Sequence, residues 1–325
     1  MAPSHVLVTG GAGFIGSHTV DRLVEEGHRV TVLDDFSTGS RLNLATHLGE
    51  AGLIVVDGDV GGDLDDLLAD AVARFGKVER VVHLAAQTSV QRSIEEPIED
   101  ERVNAGGTLR VLELARTHGA RSVVMASSAA VYGDTPVLPV HEEVPPAPLS
   151  PYGVHKLASE GYLKIWAALH GISTTPLRFF NVYGPRQDPK SPYSGVISLF
   201  FDRAFSNAPL RVDGDGLQTR DMVFVSDVVD AIHRALFRDD GVGEPINVGT
   251  GRQLTVAELA RLVVSFAKSN SAIGHGPERA GSIVHSCAAV DRAREQLGFA
   301  AAVPVTVGLE RTAAWFAAER ASRLA

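Results

Sequence analysis

The stretch that most limits what this chain can become lies near its amino end. An apolar, β-branched run from His5 to Thr9 gives way to Gly10-Gly-Ala-Gly13-Phe14-Ile15-Gly16, and a helical pattern then continues to Glu26. Strand, glycine turn and helix in that order aim free backbone N–H groups and a helix dipole at any anion lying beyond the strand. Glycine carries no Cβ, so the turn can be tight and a diphosphate can approach the backbone. The spacing is GxxGxxG, with Gly10, Gly13, Phe14, Ile15 and Gly16 as the candidate cradle. A second strand, Arg29 to Leu33, follows Gly27 and ends in Asp34-Asp35. An acid about 20 residues past the glycines, at the end of the second strand, is placed to take both hydroxyls of an adenosine ribose. The plain alternative is a solvated strand end. In this context the acid favours a cofactor role, and its charge disfavours a 2′-phosphate, so NAD is expected rather than NADP.

Composition narrows the class. The 325 residues suffice for a full core and predict two lobes. A formal net charge of −9 provides no basic stripe for a nucleic-acid backbone. The single cysteine, Cys287, cannot form an internal disulfide or a thiolate metal cluster, which fits a reducing cytoplasm. No apolar run reaches the roughly 18 residues that a membrane span needs. The start, Met-Ala-Pro-Ser-His, lacks the charged and apolar segments of a signal peptide. His83, His141, His155 and His285 show no metal-ligand spacing, so no metal is expected, and His155 reads as a helix-surface residue.

Strand-like and helix-like runs alternate through the first half. Further strands are predicted at Leu53–Val56, Arg80–Leu84, Arg121–Met125 and Thr174–Phe179, with helices near 63–74, 99–118 and 151–170. Such alternation predicts an α/β fold: a doubly wound parallel Rossmann sheet, its strands apolar throughout because both faces are covered. Ligands then gather at the carboxyl ends of the strands. The regularity fades near residue 180, returns in a helical stretch at Val225–Phe237, and ends in helical stretches near 255–267, 288–297 and 305–320. The expected division is residues 1–179 for the NAD-binding domain, with a return segment near 225–250. A smaller α/β substrate-binding domain takes 180–224 and 251–325.

Ser150-Pro151-Tyr152-Gly-Val-His-Lys156 is the second strong signal. Ser150 suits an N-cap and Pro151 a first helical position, which sets Tyr152 and Lys156 one turn apart on one face. A phenol titrating near 10 must be lowered by about three units, roughly 4 kcal/mol, to act as a base at neutral pH. One ammonium at about 5 Å supplies roughly 3 kcal/mol at an effective dielectric of about 20, and a positively charged nicotinamide could provide the rest. The pair is a common accident on amphipathic helices. It gains weight from Ser127 and Ser128, which end an apolar strand at the sheet edge facing the same cleft. A hydroxyl there can hold a substrate oxygen while the phenolate takes its proton, although Ser128 could also simply cap the turn after the strand.

Taken together, these motifs make the chain resemble an extended short-chain dehydrogenase/reductase, and within that superfamily the nucleotide-sugar epimerases of the UDP-glucose 4-epimerase type. The resemblance runs through Thr9 to Gly16, Leu33 to Asp35, Gly58-Asp59-Val60, His83-Leu84-Ala85-Ala86, Ser127-Ser128, Tyr152 to Lys156, Arg178 to Arg186, Gly214-Asp-Gly216 and Arg220-Asp221. It implies that Asp59 and Val60 flank the adenine and that Leu84, Ala85 and Ala86 line the cofactor path. It implies that Ser89, Asn181, Arg220, Arg279 and Ser286 meet the sugar nucleotide, with Arg220 and Arg279 on its diphosphate. Arginine suits that task because its fork donates several hydrogen bonds at once. The implied reaction is C4 epimerisation through a transient 4-keto sugar. Ser128, Tyr152 and Lys156 act on the sugar, and tightly held NAD suffers no net redox change.

Dehydratases of the resembled family carry acids just after the active-site serine or threonine. Ala129-Ala130 stand there, which favours epimerisation. Ser286 occupies the position that gates the sugar 2-substituent in the resembled epimerases. Its small size admits the UDP-GlcNAc/UDP-GalNAc pair beside UDP-glucose/UDP-galactose. Asp188 after Pro-Arg-Gln disfavours a uronic acid, and Ser282 replaces an acid that commonly meets the nucleotide ribose, leaving the base open. A UDP-glucuronate 4-epimerase or another dehydratase or reductase of the superfamily is the alternative enzyme, and a non-catalytic NAD-binding sensor the alternative of another class. The resemblance also implies a homodimer through the helices near 99–118 and 151–170, where Val103, Leu109, Leu112, Leu157 and Tyr162 would equally serve as core.

Overall fold

Hydrophobic strands alternating with helices build the chain as far as Phe179. The structure is a computed structural model that describes residues 3–188, 195–278 and 283–324. The strands are β1 (His5–Thr9), β2 (Arg29–Asp34), β3 (Leu53–Asp57), β4 (Arg80–His83), β5 (Ser122–Ser128) and β6 (Ser173–Phe179). Between them run α1 (Phe14–Glu25), α2 (Leu64–Phe75), α3 (Val90–Glu95), α4 (Pro97–Glu101), α5 (Gly107–His118) and α6 (Pro151–His170). Asp63 caps α2 by accepting from the N–H groups of Asp65 and Asp66, and Ser150 caps α6 through Gly153 N–H. Left-handed glycines, Gly119 and Gly171, stop α5 and α6.

The remaining elements are β7 (Asn181–Tyr183), α7 (Val196–Phe205), β8 (Leu210–Asp213), β9 (Thr219–Arg220), β10 (Met222–Phe224), α8 (Val225–Leu236), β11 (Ile246–Val248), β12 (Leu254–Thr255), α9 (Val256–Phe266), β13 (Ile273–Gly276), α10 (Asp291–Leu297) and α11 (Val305–Leu324). Seven strands form one parallel sheet in the order β11-β6-β5-β4-β1-β2-β3. The order reverses between β1 and β4, which opens a crevice at their carboxyl ends.

Alternate residues of each strand serve opposite faces. Val6, Val8, Val30, Val32 and Val82 pack with Val20 and Leu23 of α1 and with Val228 and Ile232 of α8. Leu7, Leu33, Val81 and Val123 pack with Leu64 and Leu68 of α2, Val111 and Leu112 of α5, and Leu163 of α6. A separate core holds the second lobe, where Phe200, Phe201, Leu210, Phe224, Leu259, Leu309 and Phe316 are buried together. Helix α8 packs against α1, and β11 pairs with β6 in the first sheet.

The helical stretch expected near 99–118 is present, but not as a uniform α-helix: Arg102–Gly106 winds as a π-helical turn between α4 and α5. Asn104, inside that turn, is buried and directs its amide inward to Gln87 O (3.0 Å) and Asp100 Oδ1 (2.9 Å). A π turn inserts a residue into the helical ladder and re-aims a side chain, a device found most often near functional sites.

Candidate active site

The glycine turn sits in the crevice. Gly10 has φ +68°, and a Cβ there would lie 2.6 Å from Ala85 N, so the turn after β1 packs directly on the end of β4. A Cβ on Gly16 would fall 2.1 Å from Gly10 O, so that glycine lets α1 start flush against the turn. Gly13 caps α1 with no side-chain hydrogen bond, and the first turn, from Phe14 and Ile15 onward, carries no acid. The amino end of α1 therefore offers its backbone N–H groups with nothing anionic to compete.

Asp34 ends β2 almost fully buried. Ala12 N–H donates to its Oδ2 (2.8 Å) and Phe36 N–H to its Oδ1 (2.9 Å), which leaves lone pairs on both oxygens. Burial raises its pKa, against the pull of those two amides. Asp35 is exposed and accepts from Ser37 N–H and Oγ within its own turn. Asp59 accepts from Gly61 N–H (2.7 Å) and from Arg102 (2.7 Å). Burial works against ionisation there, but Arg102 and the Gly61 amide hold the carboxyl below its usual range. Val60 is buried in the core beside α2 and α5, whereas Leu84, Ala85 and Ala86 are half-buried just past β4.

Ser128, Tyr152 and Lys156 meet at the carboxyl end of β5. The Ser128 oxygen accepts from Ala130 N–H (3.1 Å), and its hydroxyl also lies beside the Tyr152 phenol, favouring the ionised form. Capping and facing the phenol are thus both true of Ser128. Lys156 Nζ donates to Ala126 O (2.9 Å) and lies 5.9 Å from the centre of the Tyr152 ring. Burial pushes the lysine down to about 8, with the Asp100 and Glu160 charges resisting. Burial pushes Tyr152 up to about 12, with Ser128 pulling the other way. The phenol of the free chain is therefore stored protonated. The electrostatic help expected of Lys156 does not overcome desolvation here.

The sugar-side residues have different environments. Asn181 is exposed at the start of β7, and its N–H donates to Asp221 O (3.0 Å). Arg220 donates to Thr219 O (2.8 Å) and Val284 O (3.2 Å), and burial lowers its pKa. Ser286 N–H donates to the same Thr219 carbonyl (3.2 Å), which puts Ser286 beside Arg220. Ser89 is buried and its hydroxyl oxygen caps α3 through Arg92 N–H (2.9 Å). Arg279 and Ser282 lie outside the described residues.

His155 is not a surface residue: its Nδ1 is 2.6 Å from Oδ2 of the buried Asp100. Sequence reasoning missed Asp100, and it read Asp221 only as the neighbour of Arg220, with no role of its own. Asp221 is buried and accepts from Thr250 N–H and Oγ1, Gly251 N–H and Ala288 N–H, gathering two loops behind Arg220. Its position next to Arg220 was the available signal. Among the described residues no cluster of three metal-ligating side chains occurs, and no helix is long and apolar enough to cross a membrane.

A dinucleotide would fit these residues: uncapped N–H groups at α1 for its diphosphate, the open lone pairs of Asp34 for a ribose, the small residues Ala85 and Ala86 just past β4, and the Ser-Tyr-Lys group at the far side. Fold and site together define an extended short-chain dehydrogenase/reductase. Residues 6–249 match the NAD dependent epimerase/dehydratase family, and the chain belongs to that family. It is 41% identical over 312 residues to the UDP-glucose 4-epimerase of Mycolicibacterium smegmatis, covering 95% of this chain and 97% of that protein. The crystal structure of the Thermotoga maritima UDP-glucose 4-epimerase with UDP-glucose is 35% identical with a TM-score of 0.89, covering 97% and 99%. The Thermus thermophilus UDP-glucose 4-epimerase in complex with NAD is 36% identical with a TM-score of 0.86, covering 96% and 99%.

Proposed function

We propose that the protein interconverts C4 epimers of a UDP-hexose, with UDP-glucose and UDP-galactose as the principal pair. The observation that carries this reading is the convergence of Ser128, Tyr152 and Lys156 on one side of the crevice whose other side is the Gly10–Gly16 turn. NAD, held by the Gly10–Gly16 turn and Asp34, would supply the acceptor and donor for the C4 hydride. The chain's own work is to hold and move a proton. Once Tyr152 has released its own proton to solvent, its phenolate oxygen takes the proton of the C4 hydroxyl while Ser128 Oγ holds that oxygen, and the same group returns the proton at the end of the cycle. Lys156, fixed by Ala126 O, keeps a positive charge beside the phenol and opposes its tendency to stay protonated.

The lobe formed by 180–224 and 251–325 binds the nucleotide sugar. Arg220, with Arg279, anchors the diphosphate, and Asn181 meets the sugar. An anchor at the diphosphate leaves the hexose free to turn between the two half-reactions. Ser286 leaves room for an N-acetyl group, so the UDP-GlcNAc/UDP-GalNAc pair is a second substrate set. Val154, Ile165 and Leu169 form an exposed apolar strip on α6, for which we propose a second copy of the chain as partner. Twice the chain mass of 34.4 kDa is then expected by sedimentation at micromolar concentration, and a species at that mass itself would contradict it. The buried, free Cys287 thiol fits a reducing compartment, and we place the enzyme in the cytoplasm.

The test is direct. Purified protein is incubated separately with UDP-glucose, UDP-GlcNAc and UDP-glucuronate, and the anomeric NMR signals are followed. Appearance of the C4 partner from UDP-glucose, without accumulation of free NADH, is expected. Conversion of none of the three would overturn the substrate class.

A further inference from the structure

A closed polar cluster lies immediately behind the reacting group. Asp100 on α4 is buried, and three donors from three segments converge on its carboxylate. Gln87 Nε2, in the loop after β4, is 2.6 Å from Oδ1, and Asn104 Nδ2, in the π turn, is 2.9 Å from the same oxygen. His155 Nδ1, on α6, is 2.6 Å from Oδ2. Gln87 also binds Ser89 N–H and O through its amide, which fixes the loop that begins at Ala85 and Ala86. Ser159 Oγ donates to Asn104 O (3.2 Å) and His155 O (2.8 Å), closing the cluster on α6. The π turn is what brings Asn104 inward to complete it.

We propose that Asp100 and His155 form a positioning pair for the Tyr152 phenol: they tie the α6 turn bearing Tyr152 and Lys156 to the loop after β4 and set a fixed negative charge behind both. Neither touches the reacting atoms. The proposal rests on the reading of Tyr152 as the proton-transfer group. The titratable and charged groups around the pair are Tyr152, His155, Lys156 and Glu160 on α6 and His83 on β4. Glu160 is already held by Arg178 (2.7 Å), and burial keeps His83 neutral, at about 3. The Asp100 charge acts on Tyr152 and Lys156 in the same direction, disfavouring loss of a proton from either. Removing that charge must therefore move both titrations toward acid, whereas loss of a purely structural contact would leave them in place.

Variants at two positions test this in the holoenzyme. Asp100→Asn keeps the shape and deletes the charge. The pH profile of UDP-glucose epimerisation is expected to move as a whole toward lower pH by about one unit. The phenol titration assigned to Tyr152, taken as the tyrosinate difference absorbance against Tyr152→Phe, should move the same way. His155→Ala should lower kcat about tenfold with KM changed less than about twofold, and His155→Gln, which restores an N–H donor, should recover most of that loss. A profile and phenol titration of Asp100→Asn that superimpose on wild type overturn the charge assignment. Equal rates in the Ala and Gln variants at 155 overturn the tie, and those variants decide the matter if Asp100→Asn fails to fold. Full turnover in Tyr152→Phe would instead sink the underlying reading, which separates the two failures.

Discussion

The two ends of the crevice are built by different means. At the proposed cofactor end most of the groups are backbone or small, with the Asp34 carboxylate as the exception: the turn from Gly10 to Gly16, the uncapped start of α1, and small residues after β4. At the proposed sugar end they are side chains, Asn181, Arg220 and Ser286, on short segments. A buried carboxylate, Asp221, holds that region by collecting four donors from residues 250, 251 and 288. A backbone cradle is written in a few adjacent residues. A side-chain cradle depends on partners dozens of positions away, so it can vary in specificity while the cofactor end stays fixed.

That contrast can be broken at four points. The largest effect is expected from Gly16→Ala. Its Cβ would fall on Gly10 O at 2.1 Å, a backbone atom that cannot step aside. A stability loss of about 3 kcal/mol or more is expected, together with loss of NAD from the purified protein, read by denaturant titration and by extraction of the nucleotide. Asp221→Asn comes next. Its amide nitrogen cannot accept, so buried donors lose their partner at a cost of about 2 kcal/mol. KM for UDP-glucose should rise while NAD content stays at the wild-type level. A parallel loss of NAD would erase the distinction between the two ends.

Arg220→Lys is a milder probe of the same end. A point charge replaces a fork that binds phosphate oxygens two at a time, and KM should rise about tenfold with a smaller change in kcat. Unchanged steady-state constants would remove Arg220 from the diphosphate. Ser286→Tyr should have the narrowest effect, blocking UDP-GlcNAc while sparing UDP-glucose in side-by-side rates. If both fall together, Ser286 does not gate the 2-substituent.

Local signals made most of the scaffold legible. Ser150, Pro151 and Gly171 set α6 at Pro151–His170, as expected, because cap, first-turn proline and left-handed stop all act within one helix. The β1–turn–α1 unit was legible for the same reason. The π turn at 102–106 was not, because its cause is tertiary: Asn104 and Asp100 turn inward toward Gln87 and His155. His155 looked like a surface residue because its partner lies 55 positions away. The state of Tyr152 was also hidden. Proximity of Lys156 could be read from spacing, but the depth of burial that raises the phenol to about 12 could not.

The central claim is that the oxygen of Tyr152 carries the proton between sugar and enzyme in an otherwise intact NAD site. Tyr152→Phe deletes that oxygen alone. Measured against wild type by NMR conversion of UDP-glucose and by NAD content, it should retain the cofactor and lose turnover by about 10³-fold. Wild-type turnover in the variant would contradict the account.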